Sequence, residues 1–551
     1  MRLIQFIGVA AVTGVILGCD NPLEVPNTSN PDRPRILRNP ADVQALAAAQ
    51  FQQIINGTLA SIARTNTGML TASFENASGL ANNGLGPRGG LPRAAIDNGR
   101  GNAYQTENFA DFSILTSVTR NGADVLLRAR DPGFSLGGAT AAGDKQRLLG
   151  WTHFVYGVAL GYISLVYDSA GVPSPDDATG FVPPLQGYLE VNEAALAALD
   201  SALVYATMSG TTDLPSGWLT GPGGSAVSMG DFGKIIRSYR ARMRAGVARN
   251  PTERAAVDWD EVIADATTGI TADFMVDMEP TQNWDYAWLS SALHYRDANW
   301  HQMTYYIIGM ADVSGGFEAW LRMPRNTRTP FLIVTPDLRF PQGSTRAAQQ
   351  AAGQGAPTGR RYFRNRAEGD QAAVGWQNSW YDHYRFRAFA DAGRTTLFPI
   401  FTKAENDLLA AEGYIRNGDI AEAAALIDRT RTTAGLPALT GAVTSVNDQV
   451  PGDANCVPRI PVAPTFTTTA CGNIMEAMKW EKRMETAYTT YGAWFFDSRG
   501  WGDLPVGTAV HWPVPNQELD ARVLPIYNLG GGAGQPGAAG ASTYGYGNGD
   551  L

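Results

Sequence analysis

The sequence predicts a mostly α-helical protein in which a tetratricopeptide-like helical scaffold carries long irregular loops. Residues 402–436 have the pattern of two short helices joined by a tight turn, which is the unit of such a scaffold. Several long segments with helical periodicity precede this pair. The chain of 551 residues also holds 61 glycines and 32 prolines, a composition typical of a globular protein with many loops.

Helical periodicity begins near Asp42 and recurs along the first half of the chain. Residues 144–167 are apolar and aromatic nearly all round, so we expect a buried helix there. Residues 189–206 repeat Ala and Leu at helical spacing, and residues 229–249 form an amphipathic helix whose basic residues we expect to face solvent.

The helix pair at 402–436 carries recognisable end signals. Thr402 and Glu405 match a capping box, in which each side chain accepts a hydrogen bond from the backbone of the other residue. The "NGD" at 417–419 interrupts the helix, and a second helix then runs towards Gly435.

Residues 41–551, which include the helices described above, are expected to form a single domain. Within it we expect a loop-rich insertion at about 270–400 and a final helix that begins near Asn473. The Gly-rich tail at about 529–551 is expected to be mobile, because it has few residues with which to pack.

The amino terminus has the pattern of an export signal. Arg2 is followed by an uncharged apolar stretch, so residues 1–18 are predicted to be a signal peptide. "VILGC" at 15–19 looks like a bacterial lipobox, which predicts acylation of Cys19 and a lipid anchor in a membrane. The alternative is an ordinary secreted protein with a cysteine near its cleavage site. Residues 19–40 are Pro-rich and are predicted to be a tether.

Charge and cysteine content narrow the choice of partner and compartment. The formal net charge is −9 and no basic tract is present, which argues against a nucleic-acid partner. An exported chain meets an oxidising compartment, so we expect Cys456 and Cys471 to form a disulfide. The alternative is two unpaired thiols.

Enzyme and metal signatures are weak. "GLGPRG" at 84–89 matches G-x-G-x-x-G, but no strand pattern precedes it and Pro87 interrupts the following helix start. The chain has no H-E-x-x-H motif. His294 and His301 are spaced seven apart, yet no third ligand accompanies them. We therefore expect no cofactor and no metal.

Two aromatic segments are the candidate ligand surfaces, at 283–306 and 376–389. Sugar rings stack on Trp and Tyr faces, and their hydroxyls bind nearby polar side chains, which both segments also supply. Aromatic clusters of this kind are equally typical of a core covered by loops. The candidate ligand-binding residues are Trp284, Trp288, Trp300, Tyr305, Trp376 and Trp380.

Four features together resemble the SusD/RagB family of outer-membrane lipoproteins, which serve glycan and nutrient uptake. They are the lipobox, the helix pair at 402–436, "WEKRMETAYTTYGAWFFDSRGWGD" at 480–503 and "HWPVPNQELDA" at 511–521. Tyr491 and Trp494 stand where the family often has Glu and Arg, which leaves the subfamily and the ligand open. These motifs belong to the structural scaffold of the family, so they identify no ligand-binding residue in this chain.

The resemblance implies a non-catalytic protein with a SusD-like fold on the outer face of the outer membrane. Such a protein would bind oligosaccharides, or another nutrient oligomer, and deliver them to a TonB-dependent, SusC-like transporter. Two alternatives stay open. One is a surface glycoside hydrolase, because paired carboxylates are set by space and not by sequence. The other is a helical-repeat adaptor that binds only protein.

The lipobox leads to a direct prediction. Cys19→Ser removes the thiol that accepts the lipid, so the variant should leave the membrane fraction on cell fractionation. The wild-type chain, fractionated in parallel from cells that lack a transporter partner, should stay in that fraction. A variant that remains fully membrane-bound in those cells would contradict the anchor.

Overall fold

A computed structural model describes residues 36–78, 84–178, 180–290, 301–351, 361–367 and 379–547. The predictions for the signal peptide, for Cys19 and for most of the tether concern residues outside these ranges. The same holds for His294, Trp300 and Trp376.

The α-helices of the described residues are numbered in chain order. They are α1 Pro40–Ala48, α2 Gln50–Thr58, α3 Thr65–Ala72, α4 Leu85–Gly89, α5 Gln105–Arg130, α6 Ala141–Val166, α7 Tyr188–Thr207, α8 Met229–Gly246, α9 Pro251–Ala255, α10 Trp259–Thr267, α11 Tyr305–Ile308, α12 Gly316–Arg322, α13 Arg346–Ala351, α14 Arg387–Asp391, α15 Lys403–Asn417, α16 Ile420–Arg431, α17 Ile474–Thr486, α18 Ala493–Trp501 and α19 Asn516–Ala521.

The strands are short and form two-stranded antiparallel pairs. They are β1 Ala95–Ile96, β2 Ser169–Gly171, β3 Leu185–Gly187, β4 Phe274–Asp277, β5 Phe363–Asn365, β6 Tyr381–His383, β7 Leu397–Phe401, β8 Arg459–Pro461, β9 Thr469–Cys471 and β10 Leu529–Gly530. The pairs are β1 with β10, β2 with β3, β4 with β7, β5 with β6, and β8 with β9. Each pair joins two loop segments, so the helices carry the architecture and the predicted fold class is confirmed.

The helices stack one upon the next, as a helical-repeat scaffold requires. Helix α5 packs on α6, α6 on α7, α7 on α8, and α8 on α10. Helix α10 then packs on α15, which pairs with α16 and also contacts α17. A helix that contacts mainly its neighbours in the stack is the defining feature of such scaffolds.

Helix α6 lies at the centre of the core. It is long and apolar enough to cross a membrane by length and composition, yet 94% of its most apolar stretch is buried inside the protein. Its glycines allow close helix contact: a Cβ on Gly157 would lie 2.9 Å from the Ala195 carbonyl oxygen of α7. The apolar circumference seen in the sequence therefore reflects burial among other helices.

The helix pair begins with half of the predicted capping box. The Thr402 hydroxyl accepts a hydrogen bond from the Glu405 backbone N–H at 3.0 Å. The Glu405 side chain does not return to Thr402; its carboxylate accepts two hydrogen bonds from Arg242 of α8, each 2.8 Å long. Glu405 thus forms an ion pair with another helix and not the capping contact with Thr402, because the ion pair neutralises the buried guanidinium of Arg242.

Helix α17 carries the first part of a buried network of charges. The Lys479 ammonium lies 2.9 Å from Glu476 and 3.1 Å from Asp503. Arg483 lies 2.5 Å from the other oxygen of Asp503. All four side chains are buried, so each charge depends on its partners for the hydrogen bonds that water would otherwise supply.

The opposite side of α17 binds the loop that precedes α13. Arg339 lies 2.8 Å from Glu481, 3.3 Å from Glu485 and 2.7 Å from Asp337. The indole N–H of Trp480 also donates to Asp337, at 3.1 Å. One buried guanidinium therefore ties a distant loop segment to the helix.

A third group connects α17 to the helix stack. Lys482 lies 2.9 Å from Asp497 of α18, and Arg254 contacts both Asp497 and Glu412 of α15, at 3.0 and 2.6 Å. Burial would raise the pKa of Glu412, but Arg254 and Arg416 outweigh burial and hold that pKa below its ordinary value. Glu412 is therefore a carboxylate in the folded protein.

The Gly-rich tail is packed over residues 529–547, so the expectation of a mobile tail is wrong there. Tyr544 and Tyr546 are buried. The Tyr544 hydroxyl donates to Glu476 at 2.5 Å, and the Tyr546 hydroxyl donates to the Tyr306 carbonyl oxygen at 2.5 Å. Two tyrosines are enough to anchor a segment whose glycine content alone suggests flexibility.

Cys456 and Cys471 form a disulfide in the structure, with their Cα atoms 5.7 Å apart. The bridge closes the loop that contains β8 and β9, between α16 and α17.

Breaking the buried network should cost far more stability than breaking a surface ion pair. Arg254→Met leaves Glu412 and Asp497 without their shared guanidinium and should lower the free energy of unfolding by about 3–5 kcal/mol. Urea denaturation followed by circular dichroism measures the change. As the control, Lys234→Met breaks an ion pair whose side chains are 40% and 61% exposed, and should cost no more than about 1 kcal/mol. Equal losses in the two variants would contradict the role given to the network.

Candidate ligand-binding groove

Three of the predicted ligand residues lie in the hydrophobic core. Trp284, Trp288 and Tyr305 are 5%, 2% and 0% exposed. The ring of Tyr305 stacks on Phe331 at a centroid distance of 4.2 Å, and its hydroxyl donates to the Phe331 carbonyl oxygen. A ring that is covered by protein cannot offer its face to a sugar. The prediction that these three residues form an exposed platform is therefore wrong, and the core-aromatic alternative holds for them.

Trp380 differs from these three because it is half-buried. The Arg346 guanidinium lies over its ring, 4.6 Å from the centroid. Its indole N–H makes no hydrogen bond within the described residues. Trp380 stays a prediction as a ligand contact.

A groove elsewhere on the protein brings aromatic and polar side chains together. Its cavity volume is about 340 Å³, in the size range of small-molecule sites. Helices α3 and α4, strand β1, the loop at 97–104 and the segment at 508–512 form its walls. The lining residues are Gly68, Ala72, Gly84, Arg88, Arg93, Ala94, Ala95, Ile96, Asp97, Asn102, Tyr104, Thr508, Ala509 and Trp512.

Arg88 is the principal polar group at one wall. Its Nη1 lies 2.7 Å from the Glu107 carboxylate, at the start of α5. Burial raises the pKa of Glu107, and the guanidinium of Arg88 opposes that rise. The guanidinium centre lies 6.0 Å from the Tyr104 ring centroid, so a cation and an aromatic ring stand side by side.

Arg93 supports the floor of the groove from below. It donates to the Ala72 carbonyl oxygen at 2.9 Å and to the Arg88 carbonyl oxygen. Its guanidinium centre lies 4.7 Å from the Phe74 ring centroid. Burial lowers the pKa of Arg93 to about 9, which still leaves it charged at neutral pH.

The loop at 97–104 is held in one conformation by its own side chains. The Asn102 amide donates to the Asp97 carbonyl oxygen at 2.6 Å, and its oxygen accepts from the Tyr104 backbone N–H at 2.9 Å. One oxygen of the Asp97 carboxylate accepts from the Gly99 N–H at 2.8 Å. These bonds set the position of the half-buried Tyr104 ring beside Arg88.

Two buried asparagines lock this loop to the chain's late segment. Asn516 at the start of α19 donates its backbone N–H to Asn98 Oδ1 at 3.1 Å and its side-chain amide to the Asn98 carbonyl oxygen at 2.9 Å. Asn98 in turn donates to the Val514 carbonyl oxygen at 2.8 Å. The "PVPNQELDA" stretch therefore positions one wall of the groove.

Trp512 and Thr508 complete the opposite wall. Trp512 is 4% exposed and packs edge-on against Phe495, 5.3 Å between ring centroids. A Cβ on Gly68 would lie 3.0 Å from the Trp512 ring, so a larger residue at that point of α3 would press on the indole. The Thr508 hydroxyl is buried, and it makes no hydrogen bond to any described residue.

The groove offers hydrogen-bond donors, hydrogen-bond acceptors and aromatic surface at one place, which suits a polar ligand with flat apolar faces. In the described part of the chain, no group of three or more His, Cys, Asp and Glu side chains could hold a metal ion. The donor set fits recognition by hydrogen bonds and stacking.

Sequence reasoning missed this groove. The segment "GLGPRG" was set aside as a chance match to a dinucleotide motif, yet it supplies Gly84 and Arg88 to the groove. Sequence reasoning treated "HWPVPNQELDA" as scaffold, yet that segment supplies Trp512. The available signal was an arginine in a glycine-rich loop and a tryptophan between a histidine and a proline, and neither pattern is specific.

Comparison with known proteins identifies the fold of this chain. No family model and no curated protein matches the chain. Surface glycan-binding protein A from Bacteroides uniformis is similar in structure, with a TM-score of 0.52 and 12% identity, over 88% of this chain and 98% of that one. A SusD homolog from Parabacteroides distasonis is similar with a TM-score of 0.50 and 14% identity, over 83% of both chains. The chain therefore has the SusD-like fold.

Proposed function

We propose that this protein binds oligosaccharides in the groove between the loop at 97–104 and the segment at 508–512. The observation that carries the proposal is the joint placement of Tyr104, Arg88, Asn102 and Asp97 around one cavity. A sugar ring has apolar C–H faces that suit the half-buried Tyr104 ring, and its hydroxyls suit the side chains of Arg88, Asn102 and Asp97. The structural similarity to surface glycan-binding protein A from Bacteroides uniformis supports the same class of ligand.

The proposed role is binding without catalysis. Glycoside hydrolysis ordinarily uses two carboxyl groups that flank the scissile bond. Among the groove residues that the structure describes, Asp97 is the only acidic one. Glu107 lies behind Arg88 and is ion-paired with it at 2.7 Å. Both features favour a binding site over a hydrolase.

The proposed setting is the outer membrane, with the lipid anchor at Cys19 and the protein facing outward. There it would deliver its ligand to a TonB-dependent, SusC-like transporter, which would supply the energy for uptake. The lipobox at 15–19 and the SusD-like fold support this setting. Peptides or other nutrient oligomers are the alternative cargo.

The function is tested by measuring binding and turnover on the same samples. A glycan array identifies an oligosaccharide, and isothermal titration calorimetry then measures its affinity for the wild-type protein. We expect saturable binding without release of reducing sugar. Release of reducing sugar would support the hydrolase, and the absence of binding to every glycan would contradict the proposal.

Single aromatic variants should separate the groove from the core. Tyr104→Ala removes a half-buried groove ring and should weaken oligosaccharide binding by about 1–3 kcal/mol, by analogy with base stacking on aromatic side chains. Trp288→Ala is the matched control and should instead lower the free energy of unfolding by about 3–5 kcal/mol, because its ring is buried. Calorimetric titration and urea denaturation of both variants measure these effects. Wild-type affinity in Tyr104→Ala would contradict the location of the site.

A further inference from the structure

A second cavity lies away from the groove, where the C-terminal segment crosses the ends of three helices. Its volume is about 350 Å³. Arg249 and Arg499 line it from one side, and residues 538–543 line it from the other. It shares no lining residue with the groove.

The two arginines are buried and lie next to each other. Both donate to the same acceptor, the Val510 carbonyl oxygen, at 3.3 Å from Arg249 and 2.7 Å from Arg499. Arg249 also donates to the carbonyl oxygens of Ser164 and Tyr167, at the end of α6. Arg499 donates to the Gly246 carbonyl oxygen at 2.8 Å, at the end of α8. Carbonyl groups at the helix ends therefore compensate part of the positive charge of the two arginines.

Carboxylates compensate the rest of the charge only in part: Glu253 attracts both guanidinium groups and Asp168 attracts Arg249, yet burial still lowers the pKa of each arginine. In the part of the chain that the structure describes, neither guanidinium forms an ion pair, and the Nε–H group of each is buried without a hydrogen-bond partner. Glu253 is the acid nearest in sequence to Arg249, but its carboxylate accepts from the Arg249 backbone N–H at 2.7 Å and from the Asn250 amide at 2.6 Å. Asp168 is bound by the Val514 N–H and the Tyr527 hydroxyl.

The surroundings are electropositive as a result. Burial and the charge of Arg249 hold the pKa of Arg499 well below its usual range. Burial, with Arg249 and Arg499 nearby, lowers the pKa of His511 to about 2, so this imidazole is neutral. Two like charges in a buried place destabilise each other unless an anion joins them.

The facing wall supplies further donors. The backbone N–H groups of Gly540, Ala541 and Ser542 donate to no acceptor within the described residues. Consecutive backbone N–H groups of this kind bind anions in many proteins. The cavity is thus lined by two cationic side chains and by a segment whose backbone N–H groups are not engaged within the described residues.

We propose that this cavity is a binding site for an oxyanion, such as a sulfate, a phosphate or the carboxylate of an acidic sugar. The anion would lie between the guanidinium groups of Arg249 and Arg499 and the backbone of residues 540–542. This site is separate from the proposed glycan groove and does not depend on it.

The test introduces a carboxylate side chain beside the cavity, where it should compete with a bound anion. Arg499→Gln would also remove the hydrogen bond to the end of α8, so its loss of stability would be ambiguous. Gly540→Asp avoids this problem, since a Cβ on Gly540 meets no heavy atom within 4 Å. The new carboxylate lies on the segment that lines the cavity, so its negative charge should disfavour binding of an anion there. Gly540→Asn has nearly the same shape without the charge and is the matched control.

Titration calorimetry at constant ionic strength, with chloride as the balancing salt, measures binding of sodium sulfate, sodium phosphate and sodium glucuronate. The wild-type protein and Gly540→Asn should bind at least one of these anions saturably at one site. Gly540→Asp should bind the same anion at least tenfold more weakly. Binding of the inorganic anions indicates a structural or free-ion site, and preference for glucuronate indicates an acidic ligand. The proposal is overturned if the wild type binds none of the three, or if Gly540→Asp binds as tightly as Gly540→Asn.

Discussion

The buried charges of helix α17 fix how the helix stack, the loops and the C-terminal tail pack together. Lys479, Glu481, Lys482 and Arg483 are all buried, and each is neutralised by a partner from another segment of the chain. Removing one member would leave the others charged in a place that water does not reach. Such a helix can be accommodated in one arrangement only, so it specifies how the helix stack, the loops and the tail meet.

That arrangement extends to the groove. Helix α17 is joined through Asp497 to α18, whose Phe495 packs on Trp512. From Trp512 the chain runs to Asn516, which holds the loop that carries Tyr104. A binding site is more precise when rigid elements support it, and here two buried asparagines transmit the position of the scaffold to an exposed loop. The motifs that looked like scaffold in the sequence therefore build one wall of the site.

The sequence was informative where a pattern has a single physical cause. The all-round apolar face of α6 predicted burial, and Thr402 predicted the start of α15. It was uninformative about aromatic residues, because Trp288 in a core and Tyr104 in a groove have the same local chemistry and differ only in what covers them. The tail was misjudged for a similar reason: two tyrosines find partners, Glu476 and Tyr306, that are distant in sequence.

The scaffold presents the groove at 84–104 and 508–512 as the proposed ligand site. Hydrogen–deuterium exchange on the full chain, with and without a bound oligosaccharide, shows whether the ligand binds there. The ligand should slow exchange in peptides that cover 93–104 and 508–512, while α17 should exchange slowly in both states because its network is already complete. Protection confined to residues 301–331 and 379–391, with no change in the groove, would contradict the account.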